Sequence, residues 1–221
     1  MARVNLRNTI KYGKPAYAIS GWNRRRKWRA FQQAMPVGPD VELLDVGYSE
    51  REFSATDNFI EKHYPHPERI TALGIEEPAE FCRRYPAVKV VQYDGSTFPF
   101  DDDAFDVVWS NAVVEHVGSR EAQVKFLHEV ARVGRQAWVT TPNRYFPVEV
   151  HTRRLLLHWM PKEWFDDYLR RHGDGWAAGT YMRLLWAKEI RRLLAEAGVA
   201  QYRIVRNRVG PFTLDFVVVI G

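Results

Sequence analysis

The sequence has almost no cysteine, no long apolar run and only a small excess of one charge. Its single cysteine, Cys82, excludes an intrachain disulfide and the zinc sites that need several cysteines. No apolar stretch approaches the roughly 18 residues that a membrane-spanning helix needs, and the first residues lack the apolar core of a signal peptide. These absences predict a soluble protein of a reducing compartment, and we expect it in the cytoplasm.

Charge and composition narrow the class of protein further. The 32 basic and 27 acidic residues give a net charge of +5, which is too small over 221 residues to indicate a nucleic-acid partner. Hydrophobic residues make up 46% of the chain, which is typical of a globular protein. A chain of this length can bury roughly 70% of its unfolded surface, so it needs no disulfide or structural metal for stability. We therefore expect one domain over residues 1–221.

From residue 41 onward, short apolar runs alternate with helix-like stretches, which predicts a mostly parallel sheet with helices on both faces. The runs are rich in β-branched and aromatic residues, which favours strands. The last two follow each other without a helix-length connection, so they should pair antiparallel. The predicted architecture is α/β, with seven strands. The runs are 41–47, 70–75, 88–93, 105–109, 137–141, 202–205 and 212–220.

Two segments lie outside this alternation. Residues 1–40 contain the basic run Arg24–Arg29, which we place on a helix that ends before Pro36. We interpret it as a lid over a ligand pocket, and the alternative is a surface for RNA or a protein partner. Residues 143–181 form an aromatic-rich helical insertion after the fifth strand. Its aromatic side chains either hold an acceptor molecule or form a small core of their own.

Polar residues follow the strands where ligands of parallel sheets bind, beyond the carboxyl ends. Acidic residues end three of the strands, which suits a ligand with ribose hydroxyls and an exocyclic amine, because carboxylates accept those hydrogen bonds. The alternative is that Asp and Gly merely end strands. The candidate residues are Asp45, Gly47, Glu76, Asp94, Gly95, Ser110 and Asn111.

The block from Tyr93 to Val117, with its Asp94-Gly95-Ser96, Phe98-Pro99-Phe100, Phe105-Asp106 and Glu115-His116 motifs, resembles the class I S-adenosylmethionine-dependent methyltransferases. The resemblance covers roughly residues 37–221. It implies a Rossmann-like fold and S-adenosylmethionine as the cofactor. By the same resemblance, Asp94 reads the adenine amine, Gly95 passes close to the adenine ring, and Ser110 and Asn111 face the methionine part.

The first loop departs from that family. The family pattern is Asp-x-Gly-x-Gly, whereas this chain has Asp45-Val46-Gly47-Tyr48-Ser49, with serine at the second glycine. Gly47 and Glu76 are also 76 − 47 = 29 residues apart, against about 20 in a dinucleotide-binding unit. We expect Asp57 or Asn58 to replace the lost contacts. Ser49 and Asn58 therefore join the predicted cofactor-binding residues.

The acceptor is expected beside the fifth strand. In a methyl transfer, positioning of the two reactants alone lowers the activation barrier by ~7–11 kcal/mol. A histidine that accepts the proton of the acceptor increases the rate by a further ~10²–10⁴-fold. His151 and His116 are the candidate catalytic residues, and no metal site is expected. The predicted activity is methylation of a hydroxyl on a small molecule or glycan. The alternative is a catalytically inactive module with a methyltransferase-like fold that binds RNA or a protein partner through its basic N-terminal part. A nicotinamide-dependent enzyme is disfavoured, because no Gly-x-Gly-x-x-Gly motif follows the first strand.

Overall fold

A computed structural model describes residues 15–149, 151–152, 154–179 and 181–221. The first 14 residues of the predicted lid, and residues 150, 153 and 180 of the predicted insertion, lie outside this part. The helices in it are α1 (Pro15–Ala34), α2 (Phe59–His63), α3 (Ala79–Arg84), α4 (Arg120–Val133), α5 (Lys162–Arg171) and α6 (Ala187–Glu196). The strands are β1 (Leu43–Val46), β2 (Ile70–Gly74), β3 (Lys89–Gln92), β4 (Phe105–Asn111), β5 (Gly134–Pro142), β6 (Tyr202–Val209) and β7 (Phe212–Ile220).

The strands form one sheet in the order β3-β2-β1-β4-β5-β7-β6. The first five are parallel, and β7 pairs antiparallel with both β5 and β6. The predicted fold is therefore confirmed, including the antiparallel final hairpin. The strand order reverses between β1 and β4, where ligands of open α/β sheets bind. Within the described ranges, no helix is both long and apolar enough to cross a membrane.

Each face of the sheet is covered by its own hydrophobic cluster. On one face, α4 and α6 pack over the sheet, with Leu127, Val130, Leu193 and Leu194 almost fully buried. On the other face, Phe31 of α1 lies edge-on to Trp109 and Trp138, with ring centroids 5.0 and 5.7 Å away. Because helices cover both faces, every residue of β1 and β2 is buried, including the polar Asp45 and Thr71, and the alternation of a half-exposed strand is missing.

A buried polar network fastens α1 to the sheet. Lys27 Nζ lies 3.1 Å from Asp215 Oδ2, and both side chains are almost completely buried. Asn23 Nδ2 donates to the same oxygen at 3.0 Å, and Asn207 Nδ2 donates to Asp215 Oδ1 at 2.8 Å. Burial lowers the pKa of Lys27, whereas the charge of Asp215 raises it. Within the basic run, Lys27 is therefore turned into the protein.

The aromatic insertion has a small core of its own. Phe165, Leu169, Ala177 and Met182 are buried together and are separate from the two clusters on the sheet. Other aromatic residues of the insertion keep between 44% and 67% of their surface exposed. These are Tyr145, Trp159, Trp164, Trp176 and Tyr181. The small core is therefore observed, and acceptor binding by the exposed aromatic residues stays a prediction.

A serine before α4 and a glycine after it predict how the helix begins and ends, and the structure confirms only the beginning. Ser119 Oγ accepts a hydrogen bond from Ala122 N at 3.2 Å, as expected of an N-cap. A glycine directly after a helix, here Gly134, predicts a left-handed residue that ends the helix, and this prediction is wrong. Its φ of −116° and ψ of 134° are extended, and it is the first residue of β5. A Cβ there would lie 2.4 Å from Val108 Cγ2, so the glycine serves close strand packing.

We predict that Gly74→Ala destabilises the protein. A Cβ at Gly74 would lie 2.5 to 2.9 Å from three ring atoms of Tyr48, which is itself buried against Phe81. The free energy of unfolding, measured by urea denaturation, should fall by about 1–3 kcal/mol. Gly38→Ala is the matched control, because a Cβ there meets no atom within 4 Å. An equal change in both variants would contradict the prediction.

Candidate functional site

A cleft of about 480 Å³ opens where the strand order reverses. Its walls come from the loops after β1 and β4, from α1 and from the insertion. It brings together seven of the residues expected to form the site. They are Asp45, Gly47, Ser49, Asn58, Asn111, His116 and His151.

Glycine is required at position 47 for two reasons. Its φ is +101°, a conformation that side chains disfavour, and a Cβ would lie 2.4 Å from Val113 Cγ2. Its amide donates to Leu73 O at 2.8 Å, which joins the turn to the end of β2. The loop after β1 is thereby pressed against the loop after β4, and the floor of the cleft lies between them.

Asn58 stabilises the altered loop. Its Oδ1 accepts from Ser49 N at 2.8 Å, and its Nδ2 donates to Ser49 O at 2.8 Å. Asn58 is buried and left-handed, with a φ of 46°, which asparagine tolerates better than most residues. One amide group thus satisfies both backbone groups of the residue that replaces the second glycine. The structure places Asn58 in the cleft wall as a support for Ser49.

Two buried carboxyl groups face each other beneath the cleft. Burial raises the pKa of Asp45 to about 6, although Glu61 and Arg24 act in the opposite direction. Burial raises the pKa of Glu61 well above its usual range, and the charge of Asp45 adds to the effect. Neither oxygen of Glu61 meets a donor among the described groups. A proton on Glu61 would supply the missing donor, in line with the raised pKa of this carboxyl group.

Arg24 is the cation of the cleft, and the sequence reasoning did not single it out. It projects from α1 into the cleft, half-buried, near Asp45. Burial lowers its pKa, whereas Asp57 and Asp215 raise it, and an arginine in this setting stays charged. No carboxylate in the described ranges forms a salt bridge with it, unlike Lys27 with Asp215. Arg24 therefore offers its charge to a ligand.

The two candidate catalytic histidines meet in the wall of the cleft. Nε2 of His116 and Nε2 of His151 are 3.1 Å apart. Nδ1 of His116 lies 3.0 Å from Tyr181 O, and Nδ1 of His151 lies 2.7 Å from Glu149 Oε1. A carbonyl and an ionised carboxylate only accept, so both Nδ1 atoms carry hydrogen. Both Nε2 atoms therefore point toward the same place.

Charges around this pair are strongly organised. Burial alone would raise the pKa of Glu149, but the hydrogen bond and charge of His151, with Thr152, lower that pKa to about 2. Burial lowers the pKa of His116, and the nearby Glu115 acts in the opposite direction. Glu115 is fully buried and accepts from Thr141 Oγ1 at 3.0 Å.

Four expected cofactor residues do not line this cleft. Glu76 is exposed, and its Oε2 accepts from Glu50 N at 3.2 Å. Asp94 and Gly95 are exposed at the end of β3, where Asp94 Oδ1 accepts from Ser96 N at 2.8 Å. Ser110 is completely buried, and its hydroxyl finds no partner in the described part of the protein. Their binding roles stay predictions.

The sequence reasoning missed several residues of the site. Tyr181 lines the cleft, and Glu149 accepts the hydrogen bond from Nδ1 of His151. Both reach the site through folding of the insertion, which leaves no regular spacing in the sequence. For Arg24 a signal existed, since it is part of the basic run, but the helical face that turns inward was not identified.

We predict that Glu61→Gln changes how stability depends on pH. The native wild-type protein holds a proton that the unfolded chain releases above about pH 4.3. Wild-type stability therefore declines as pH rises from there through the raised native pKa values. The glutamine variant lacks this titration. Its free energy of unfolding relative to wild type should thus increase between about pH 5 and pH 8, measured by urea denaturation. A difference independent of pH would contradict the assignment.

Comparison with known proteins agrees with this geometry. The family model described as a methyltransferase domain matches residues 56–137. Among curated proteins, none matches the chain at the sequence level. An S-adenosylmethionine-dependent methyltransferase from Mesorhizobium loti is similar in structure with a TM-score of 0.57 and 12% identity, covering 87% of this chain and 96% of that one.

Two further structures have named substrates. The 1,6-didemethyltoxoflavin-N1-methyltransferase of Burkholderia thailandensis, with bound S-adenosylhomocysteine, has a TM-score of 0.51 and 18% identity, covering 94% of this chain and 76% of that one. Geranyl diphosphate C-methyltransferase of Streptomyces coelicolor A3(2) has a TM-score of 0.52 and 14% identity, covering 89% of this chain and 77% of that one. The match to a methyltransferase domain over residues 56–137 and the fold shared with these structures support a class I S-adenosylmethionine-dependent methyltransferase.

Proposed function

We propose that the protein transfers the methyl group of S-adenosylmethionine to a hydroxyl of a small molecule or glycan. The observation that carries this proposal is the set of charged and titratable groups that line one cleft. Arg24 and Asp45 suit the two charges of an amino acid, and His116 and His151 lie in the same cleft. We assign the acceptor to the part of the cleft beside the two histidines, which we call the acceptor end.

The residues of the cleft fit the methionine part of the cofactor. Arg24 has no carboxylate partner in the described ranges, so it is available for the carboxylate of the ligand. The Asp45–Glu61 pair carries negative charge that suits an ammonium group. Gly47 keeps the loop backbone open to close approach, because no side chain covers it.

The adenosine part is assigned to the exposed ends of β2 and β3. Glu76 and Asp94 stand there as hydrogen-bond acceptors. The acceptors suit ribose hydroxyls and an adenine amine, as the resemblance implies. Tyr48 supports this edge, because its hydroxyl donates to the backbone carbonyl of Glu76.

The cofactor supplies an electrophilic methyl group on a sulfonium ion. The chain must bring the acceptor oxygen in line with it and receive the hydroxyl proton as the new bond forms. His116 and His151 project their Nε2 atoms into the acceptor end, with both Nδ1 atoms held by fixed acceptors. That arrangement fixes the ring orientations and makes Nε2 the atom that meets the acceptor.

The choice of a hydroxyl acceptor rests on this proton-accepting pair. Related folds methylate nitrogen in the toxoflavin precursor and carbon in geranyl diphosphate, so the fold alone does not select the atom. Tyr181, half-exposed and 5.0 Å from His116 between ring centroids, gives the acceptor end an aromatic wall. Aromatic faces of this kind suit the apolar face of a sugar or a planar small molecule.

The competing reading, a silent module that binds RNA through the basic run, is less favoured. RNA binding needs exposed cations. Lys27 is buried against Asp215, and Arg24 points into the cleft, so two of the five cations in Arg24–Arg29 are not on the outer surface.

Calorimetry tests the proposal directly. S-adenosylmethionine and S-adenosylhomocysteine should both bind, and NAD should not. If neither S-adenosylmethionine nor S-adenosylhomocysteine binds at high micromolar concentration, the proposed function is refuted.

We predict that Arg24→Met weakens S-adenosylhomocysteine binding by roughly 10–100-fold, because a charge-assisted hydrogen bond to the ligand carboxylate is lost. Arg25→Met is the matched control, since Arg25 is exposed one residue further along α1. Methylthioadenosine, which lacks the carboxylate, should bind Arg24→Met and wild type equally in the same calorimetric assay. Equal losses for both ligands would assign Arg24 a merely structural role.

We also predict that Asp94→Ala weakens S-adenosylhomocysteine binding by roughly tenfold, the usual effect of losing a specific hydrogen bond. Asp40→Ala is the control, because Asp40 is an exposed aspartate before β1. Methylthioadenosine retains adenine, so its binding should weaken in parallel. Unchanged calorimetric affinity for both compounds would remove Asp94 from the adenine site.

A further inference from the structure

The histidine pair has an arrangement that two neutral imidazoles alone do not favour. Each ring donates through Nδ1, His116 to Tyr181 O and His151 to Glu149 Oε1. In the neutral rings, both Nε2 atoms then present lone pairs to each other across 3.1 Å. Such a contact is favourable only when positive charge lies between the nitrogens.

A third group points to the same place. Glu115 Oε1 lies 4.0 Å from His116 Nε2, and Glu115 is completely buried. Thr141 satisfies its other oxygen, but Oε1 has no hydrogen-bond partner among the described groups. A buried carboxylate oxygen without a partner is costly unless positive charge compensates it.

We propose that Glu115, His116 and His151 bind a divalent transition-metal ion at the acceptor end of the cleft. The three ligand atoms lie within 4.8 Å of one another. Nitrogen and oxygen ligands sit about 2.0–2.2 Å from zinc, so the two nitrogens reach one ion as they stand, and the carboxylate needs a shift of ~0.5 Å.

The ligand set selects the class of ion. Two imidazoles and one carboxylate suit Zn²⁺, Fe²⁺ or Co²⁺, whereas Mg²⁺ and Ca²⁺ prefer oxygen ligands. The surroundings match those of protein metal sites, in which each histidine donates its other nitrogen to a carboxylate or a backbone carbonyl. Glu149 and Tyr181 O supply those two acceptors.

Three protein ligands leave coordination positions open, as in catalytic metal sites. His116 and His151 line the cleft, so the open positions face the proposed acceptor. With an ion bound, the Nε2 lone pairs serve as ligands and no longer accept a proton. The ion would then take over the part proposed for the histidines, because it would hold the acceptor oxygen, lower the pKa of the hydroxyl and favour release of its proton to water. This role rests on the proposed methyl transfer, but ion binding itself does not depend on it.

Metal binding is tested on protein freed of metal by chelation. Co²⁺ should bind with one ion per chain and give visible d–d absorption bands, and Zn²⁺ should displace it. His116→Ala and His151→Ala should each weaken Co²⁺ binding by more than ~10-fold, since even loss of a supporting residue has that effect. His172→Ala is the matched control, because His172 is exposed at the end of α5 and bonds to Tyr168 O.

S-adenosylhomocysteine calorimetry on the same samples separates the two proposals. Both histidine variants should retain binding of this compound, which also shows that they are folded. No Co²⁺ or Zn²⁺ binding by wild type, with S-adenosylhomocysteine binding intact, would overturn the metal site and leave the proposed function standing. Co²⁺ binding that is equally strong in both histidine variants, or lost in His172→Ala, would overturn it as well.

Discussion

The buried ion pair between Lys27 and Asp215 is the constraint on which the cleft depends. Asp215 lies on β7, and with Lys27 and Asn23 it ties α1 to the sheet at a fixed rotation. Loss of one partner of a buried pair leaves an uncompensated charge, at about 3–5 kcal/mol. Because Lys27 is held inward, Arg24, one turn earlier, is directed into the cleft. This buried network thus keeps Arg24 in the cleft, where we propose that it meets the ligand.

A second constraint lies in the loop after β1. The loss of its second glycine removes the backbone freedom that usually brings amides to the cofactor. Asn58 compensates by pairing with both backbone groups of Ser49, and Gly47 retains the positive φ that the turn requires. The long connection before β2 is explained by this arrangement, since it carries Asn58 and α2 to the loop.

The sheet was predictable from sequence because its signals are local. A short run rich in β-branched and aromatic residues indicates each strand. Because no helix-length segment separates the last two runs, those two strands must pair antiparallel. The prediction for Gly134 was wrong because a glycine after a helix usually ends that helix in the left-handed conformation. Here the helix runs directly into β5, and contact with Val108 explains the glycine. Tertiary packing, which sequence spacing does not record, decided that position.

The site was predictable only where the fold supplies a common edge. Asp45, Gly47 and Asn111 meet because parallel strands end at the same side of the sheet. The meeting of His116 with His151 was anticipated only as membership of one site, not as direct contact. That contact depends on the path of the insertion through space, which also decides that Tyr181 and Glu149 lie beside the two histidines.

The separate core of the insertion has an evolutionary consequence. Phe165, Leu169, Ala177 and Met182 stabilise this segment by contacts among themselves, not by contacts with the two clusters on the sheet. Substitutions at its exposed aromatic positions should therefore have little effect on the stability of the sheet. Under the proposed function, such a division would let acceptor preference change among descendants of one gene while the packing of the sheet is kept.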